Sequence, residues 1–162
     1  MRRVICIGTC LWTLLVLAST LATAQVPTYQ YAVKFVCGVP PDDQAVAPGK
    51  YFTAINIHNP SLEAVKFSAK VAVALPGEKP GSVSKFIGSG LGPDEALEID
   101  CQHIMARARL EETPRFLKGF FVINTRGIQL DVVAVYTAAG STKSVETMQV
   151  ERVSPRTQRP RQ

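Results

Sequence analysis

Tryptophan is nearly missing from this chain: the one residue, Trp12, lies in the leading segment, so the body has no tryptophan of the kind that marks an immunoglobulin core. Cysteine is also sparse. Four occur, with no Cys-x-x-Cys among them, which argues against a redox-active pair. There are two histidines, His58 and His103. After residue 24 no long apolar run, internal repeat or heptad appears, which excludes a membrane-spanning helix, a solenoid and a coiled coil. Gly-x-Ser-x-Gly is missing too. The nearest stretch, Gly88-Ser89-Gly90-Leu91-Gly92, runs into Pro93 with no helical pattern after it, so it reads as a turn and neither as a nucleophile elbow nor as a dinucleotide loop.

The leading 24 residues form the first positive signal. Arg2 and Arg3 precede an apolar run from Val4 to Leu21, and Ala22-Thr23-Ala24 supplies small residues for a signal peptidase. The expectation is a signal peptide at 1–24, cut before Gln25, and a location in the periplasm or outside the cell. Cys10 sits inside the apolar run, away from the cut, so a lipid anchor is not expected.

The basic balance of the whole chain comes from its ends. Between Gln25 and Glu151 there are 12 basic and 13 acidic residues, whereas Arg152, Arg156, Arg159 and Arg161 all lie near the C-terminus. No nucleic-acid-binding face is implied. Residues 154–162 hold Pro, Arg, Gln, Ser and Thr and read as a solvated, disordered tail whose Arg156, Arg159 and Arg161 could make weak contact with an anionic surface.

Cys6 and Cys10 leave with the signal peptide, and the remaining pair, Cys37 and Cys101, is expected to form one disulfide in an oxidising compartment. Closing a loop of about 64 residues is worth about 4 kcal/mol by chain entropy.

Beyond the leader, the recurring period is two. Tyr29, Tyr31, Val33, Phe35 and Cys37 alternate with Gln30, Ala32, Lys34 and Val36. Tyr51, Thr53, Ile55 and Ile57 repeat the pattern before Asn59-Pro60-Ser61, and Val65 to Leu75 form the clearest strand, ended by Pro76-Gly77. Lys85 to Gly90 is a weaker strand, and Glu95 to Cys101 a further one. At Asp100 the period changes. Asp100 reads as an N-cap, but His103 stands where a capping box needs Glu or Gln, so a simple cap and a short helix over about 101–109 follow. Phe116–Thr125, Ile128–Thr137 and Ser144–Val153 are the last strands. The fold class is all-β: an antiparallel, immunoglobulin-like β-sandwich of about seven or eight strands with one short helix over 25–153, a closed barrel being the alternative.

Tyr31-Ala32-Val33-Lys34-Phe35-Val36-Cys37-Gly38, Ile55-Asn56-Ile57-His58-Asn59-Pro60, Glu98-Ile99-Asp100-Cys101, Lys118-Gly119-Phe120-Phe121-Val122-Ile123 and Leu130-Asp131-Val132-Val133-Ala134-Val135-Tyr136-Thr137 resemble the recurring blocks of an uncharacterised group of exported bacterial proteins. The resemblance spans most of the body and implies a sandwich and export, with no activity attached. A strand ending in Asn-Pro is similar, over shorter stretches, to sandwich modules of the late-embryogenesis type and to the sensory rhodopsin transducer fold. Neither implies a role.

Candidate chemistry is thin. His58, Asp100 and His103 are the residues that could bind a divalent metal, Asp100 and His103 sharing one helical face. If Asp100 caps the helix, its carboxylate is committed to backbone N–H groups. The acidic pairs Asp42-Asp43, Asp94-Glu95 and Glu111-Glu112 are adjacent and loop-borne, which suits solvation better than glycoside hydrolysis. Lys66, Lys70 and Lys85 form a small basic patch of the kind that also deters edge aggregation. Phe52, Phe121 and Val133 read as outward and could form an apolar contact face. No catalytic residue, metal or cofactor is assigned. The expectation is a non-enzymatic binding or accessory module of the bacterial envelope, monomeric or weakly associating, whose partner is an envelope protein or polymer. The alternatives are a metal-dependent hydrolase using His58, Asp100 and His103, and a structural subunit of an envelope assembly, which would need an exposed edge strand.

Overall fold

The computed structural model describes residues 25–41, 47–108, 115–140 and 145–158. The expected signal peptide, the acidic pairs at 42–43 and 111–112, and Arg159 and Arg161 lie outside them.

Among the described residues ten strands and one helix follow in the order β1 (Thr28–Gly38), β2 (Lys50–His58), β3 (Val65–Ala74), β4 (Pro80–Val83), β5 (Ile87–Leu91), β6 (Ala96–Asp100), α1 (Cys101–Ala108), β7 (Phe116–Arg126), β8 (Asp131–Ala139), β9 (Val145–Arg152) and β10 (Arg156–Gln158). The protein is all-β with one short helix, and its strand pairs are antiparallel. All ten strands belong to one hydrogen-bonded sheet, along the path β4-β3-β7-β1-β2-β8-β9, with β5 on β3, β6 on β2 and β10 on β1. The sequence led to two separate sheets. They are joined because Gly38 pairs with Tyr51, the one registered pair between β1 and β2.

Period-two alternation becomes burial. Tyr31, Val33, Phe35 and Cys37 of β1, Ile55 and Ile57 of β2, Phe67, Ala69, Val71 and Val73 of β3, and Phe121 and Ile123 of β7 enter a common core with Ile99, Ile104, Val132 and Ala134. The long β1–β7 ladder, from Thr28↔Arg126 to Gly38↔Phe116, fixes that register. A one-residue slip of β1 would turn its whole inward set to water. Gly119 is required by this packing, since a Cβ there would collide with the Ala72 carbonyl and the Phe35 ring.

Two readings of the sequence change. Phe121 is fully buried and Phe120 is the outward ring, because the β7 phase is set by Leu117 and Gly119 facing inward. Phe121 therefore belongs to the core and not to a contact face. Arg156–Gln158, expected in a disordered tail, pair with Thr28–Gln30 as β10. Apolar content decides whether a segment can form a core, but an edge strand needs only a neighbouring row of free backbone groups, which the start of β1 supplies.

The disulfide joins Cys37 to Cys101 with their Cα atoms 5.5 Å apart. It ties the end of β1 to the first residue of α1. Beside it, the Thr53 hydroxyl both donates to the Val36 carbonyl and accepts from the Val36 N–H, each at 3.0 Å. A side chain thus replaces the ladder where β1 and β2 part.

Candidate functional site

α1 begins where β6 ends, and Asp100 caps it: its Oδ1 accepts the His103 N–H at 3.0 Å. The same carboxylate meets His103 Nδ1 at 2.6 Å. The His103 N–H bond is the main reason the Asp100 carboxyl lies below its ordinary range, with burial opposing and the imidazole adding to the shift. This pair is therefore absorbed in starting a helix.

His58 is elsewhere. In the β2–β6 register His58 lies opposite Ala96 and Asp100 opposite Ala54, a four-residue separation of about 13 Å along the strands. The structure does not bring His58 to the Asp100–His103 pair. Instead His58 Nε2 lies 2.9 Å from Asp94 Oδ1, and Nδ1 lies 3.7 Å from Asp131. Arg152 pairs with Asp131 in turn. Asp94 reaches His58 from a loop tip at φ 56, a left-handed conformation that aspartate tolerates better than most residues. Among the described residues no group of three or more His, Cys, Asp or Glu side chains is arranged to hold a metal ion.

Two buried polar side chains stitch loops to the sheet. Tyr31 Oη donates to the Leu130 carbonyl at 2.9 Å and accepts from the Leu130 N–H at 2.8 Å, linking β1 to the turn before β8. Burial raises the Tyr31 phenol, the Leu130 bond partly offsetting it. Asn59 donates to the Glu63 and Gly92 carbonyls, both at 2.8 Å, and accepts from Ser61. Asn59-Pro60-Ser61 ends β2, as the sequence implied, and also locks the β5–β6 loop.

A groove of ≈ 640 Å³ lies between β1, β2, β8 and β9. Lys34 and Val36 form one wall, Tyr51 and Thr53 one end, and Tyr136, Thr147, Gln149 and Glu151 line β8 and β9. Its chemistry is mixed, with a cation, two phenols, amide and hydroxyl groups, and a carboxylate. Tyr136 Oη donates to Glu151 at 2.9 Å; desolvation, then the acceptance of this bond by the carboxylate, pushes the phenol well above its ordinary range. Burial, then the nearby Lys118, lowers the Lys34 amine, which sits 5.0 Å from the Phe120 ring centre.

Backbone adds to the groove. Val36 turns its N–H and C=O to Thr53, so by strand alternation Ala32 and Lys34 turn theirs to the same side. β10 pairs with β1 up to Gln30, and β2 returns at Gly38. Among the described residues, no ladder covers Ala32 and Lys34 on that side. The sequence reading missed this groove. Thr53 was its one available sign, a polar residue in an inward phase between Tyr51 and Ile55.

No family model and no curated protein matches the chain. Among solved structures it is similar to the crystal structure of Thermotoga maritima 1070, at 10% sequence identity and a TM-score of 0.47, over 80% of this chain and 94% of the other. No helix among the described residues is long and apolar enough to cross a membrane.

Proposed function

We propose that the chain is an exported, disulfide-stapled binding module of the bacterial envelope, non-enzymatic, with the strands layered as a β-sandwich. The observation that carries this reading is the groove beside Ala32 and Lys34. It offers main-chain donors and acceptors that no described residue pairs, next to aromatic and polar side chains, the combination that receives an extended segment of another protein by strand addition. The disulfide and the leading segment support export. Layering is supported by the single Gly38–Tyr51 link between β1 and β2, with side chains from β1, β3 and β7 meeting those from β2, β6 and β8 in one core. The histidines and their carboxylates already hold a cap and a loop, so a binding role accounts for more of the observed geometry than hydrolysis does.

The test is capture from an envelope extract by the chain from Gln25 onward, compared with a Thr147→Arg variant whose longer side chain fills the groove. A partner retained by the first and lost by the second supports the reading. Equal capture by both places binding elsewhere and sinks the assignment of the groove.

A further inference from the structure

Among the described residues a second open edge lies at β9, the last strand on the path from β4. The Val153 N–H donates to the Val132 carbonyl at 2.9 Å, in register with the β8–β9 ladder. Hydrogen-bonded pairs alternate along such a ladder, so Thr147, Gln149 and Glu151 bond to β8, and Met148, Val150 and Arg152 turn their N–H and C=O outward. The side chains of that second set are also exposed, Met148 by 68% and Val150 by 59%. Their neighbours on the same face include Thr137 and Val135 of β8, with Phe52 of β2 beyond them at 40% exposure. An open ladder therefore carries an apolar face. Lysine and proline, the usual blockers of edge pairing, are absent from Val145–Arg152.

We propose that β9 pairs with β9 of a second copy of this chain, antiparallel and about a twofold axis through Gln149. The sequence of the strand selects this register. Outward-facing groups must meet outward-facing groups, and two registers of that kind overlap the strand equally; the one about Met148 would set Glu146 opposite Val150, whereas the one about Gln149 sets Met148 opposite Val150 twice. It also sets Glu146 opposite Arg152 twice, so at each end Arg152, already paired with Asp131 of its own chain, faces a second carboxylate. On the other face Gln149 meets Gln149, and Thr147 meets Glu151. Glu146 is the extra residue at the irregularity between Ala138 and Ala139, where the regular ladder stops, so the Met148 and Val150 pairs form the centre and the charges flank them. The twofold axis keeps the two Met148–Val150 faces on one side, joining them into a single apolar strip. The side chains of Thr147, Gln149 and Glu151 lie on the opposite face, toward the groove, whose lining also takes in Met148, Thr137 and Phe52.

Sedimentation equilibrium on the chain from Gln25 onward tests the proposal, and the expected mass is twice that of one chain. Val150→Pro removes an outward N–H without touching the bonds to β8; it is expected to give the single-chain mass with an unchanged circular dichroism spectrum. Glu146→Arg alone and Arg152→Glu alone each set like charges opposite, and each should weaken association roughly tenfold. The double exchange should restore it. Gln149→Cys should give a covalent pair on oxidation, since both residues lie at the axis. A single-chain mass at the highest soluble concentration overturns the proposal. So does a dimer that Val150→Pro leaves intact, or one that the single and double charge variants do not distinguish.

Discussion

β3 and β9 are both alternating strands, yet one is packed on its apolar phase and the other is exposed on it. On β3, Val65, Phe67, Ala69, Val71 and Val73 are buried while Lys66 stands in solvent. On β9, Met148 and Val150 are exposed, and Thr147, Met148, Gln149 and Glu151 line the groove. β3 lies between β7 and the short strands β4 and β5 and reaches α1, so its inward face is covered. β9 ends the path, and among the described residues no strand beyond β8 pairs with it to fix which of its faces turns inward. Apolar alternation marks a strand, but the neighbours choose its buried side.

The sharpest way to test the packed side is to cut its staple. Cys37→Ala/Cys101→Ala is expected to lower unfolding free energy by about 2 to 5 kcal/mol in a denaturant titration. A loss under 1 kcal/mol, on the order of a single surface contact, would show that packing around Thr53 holds β1 to α1 without the bond.

Next in size is Tyr31→Phe, which keeps the ring but removes the hydroxyl from both backbone groups of Leu130. Leaving a buried N–H and C=O without partners costs about 1 to 3 kcal/mol, read from the same titration. The phenol itself gives a pH signature. Because the folded state raises Tyr31 and Tyr136, their contribution is fully present below the unfolded value of about 10 and is lost as pH rises through the folded values. Spectroscopic titration should find two phenols ionising late, and the Tyr31→Phe variant should have one fewer.

Asp100→Ala removes the cap of α1 and is expected to cost about 1 kcal/mol. The folded state lowers Asp100, so this contribution is present above the unfolded value of about 4 and is lost as pH falls through the folded one. Wild type and variant should therefore converge in stability at acid pH. A difference that persists there would assign the effect to packing.

The smallest effect belongs to the exposed strand. Met148→Gln, measured at dilutions where the chain is single, should change stability by no more than about 0.5 kcal/mol. A loss of the size seen for buried methionine, about 2 kcal/mol or more, would mean that β9 turns Met148 inward and that β3 and β9 do not differ as described.

Much of the architecture was legible in local pattern. Tyr29–Cys37, Val65–Leu75 and Glu95–Cys101 gave strands close to β1, β3 and β6, and the change of period at Asp100 gave the helix and its cap. β7 misled because Phe116–Ile123 is apolar in both phases, so the sequence offered no reason to send Phe121 inward and Phe120 outward. Gly119 holds that answer, but its close approach to Ala72 belongs to a strand 47 positions earlier. The candidate site was less legible still. The groove is made by where β1 parts from β2, and the sequence distance between Lys34 and Tyr136 carries no sign of their approach.

Taken alone, the sequence determined the β content, the helix start at Asp100, the turn at Asn59-Pro60-Ser61 and the pairing of the two cysteines, because each depends on short-range backbone preference or on a count. Tertiary structure alone decided the single connected sheet, the partners of His58, the capture of Arg156–Gln158 by β1 and the outward face of β9. Those depend on which strands become neighbours, and a strand presents identical backbone groups to any neighbour that approaches its edge.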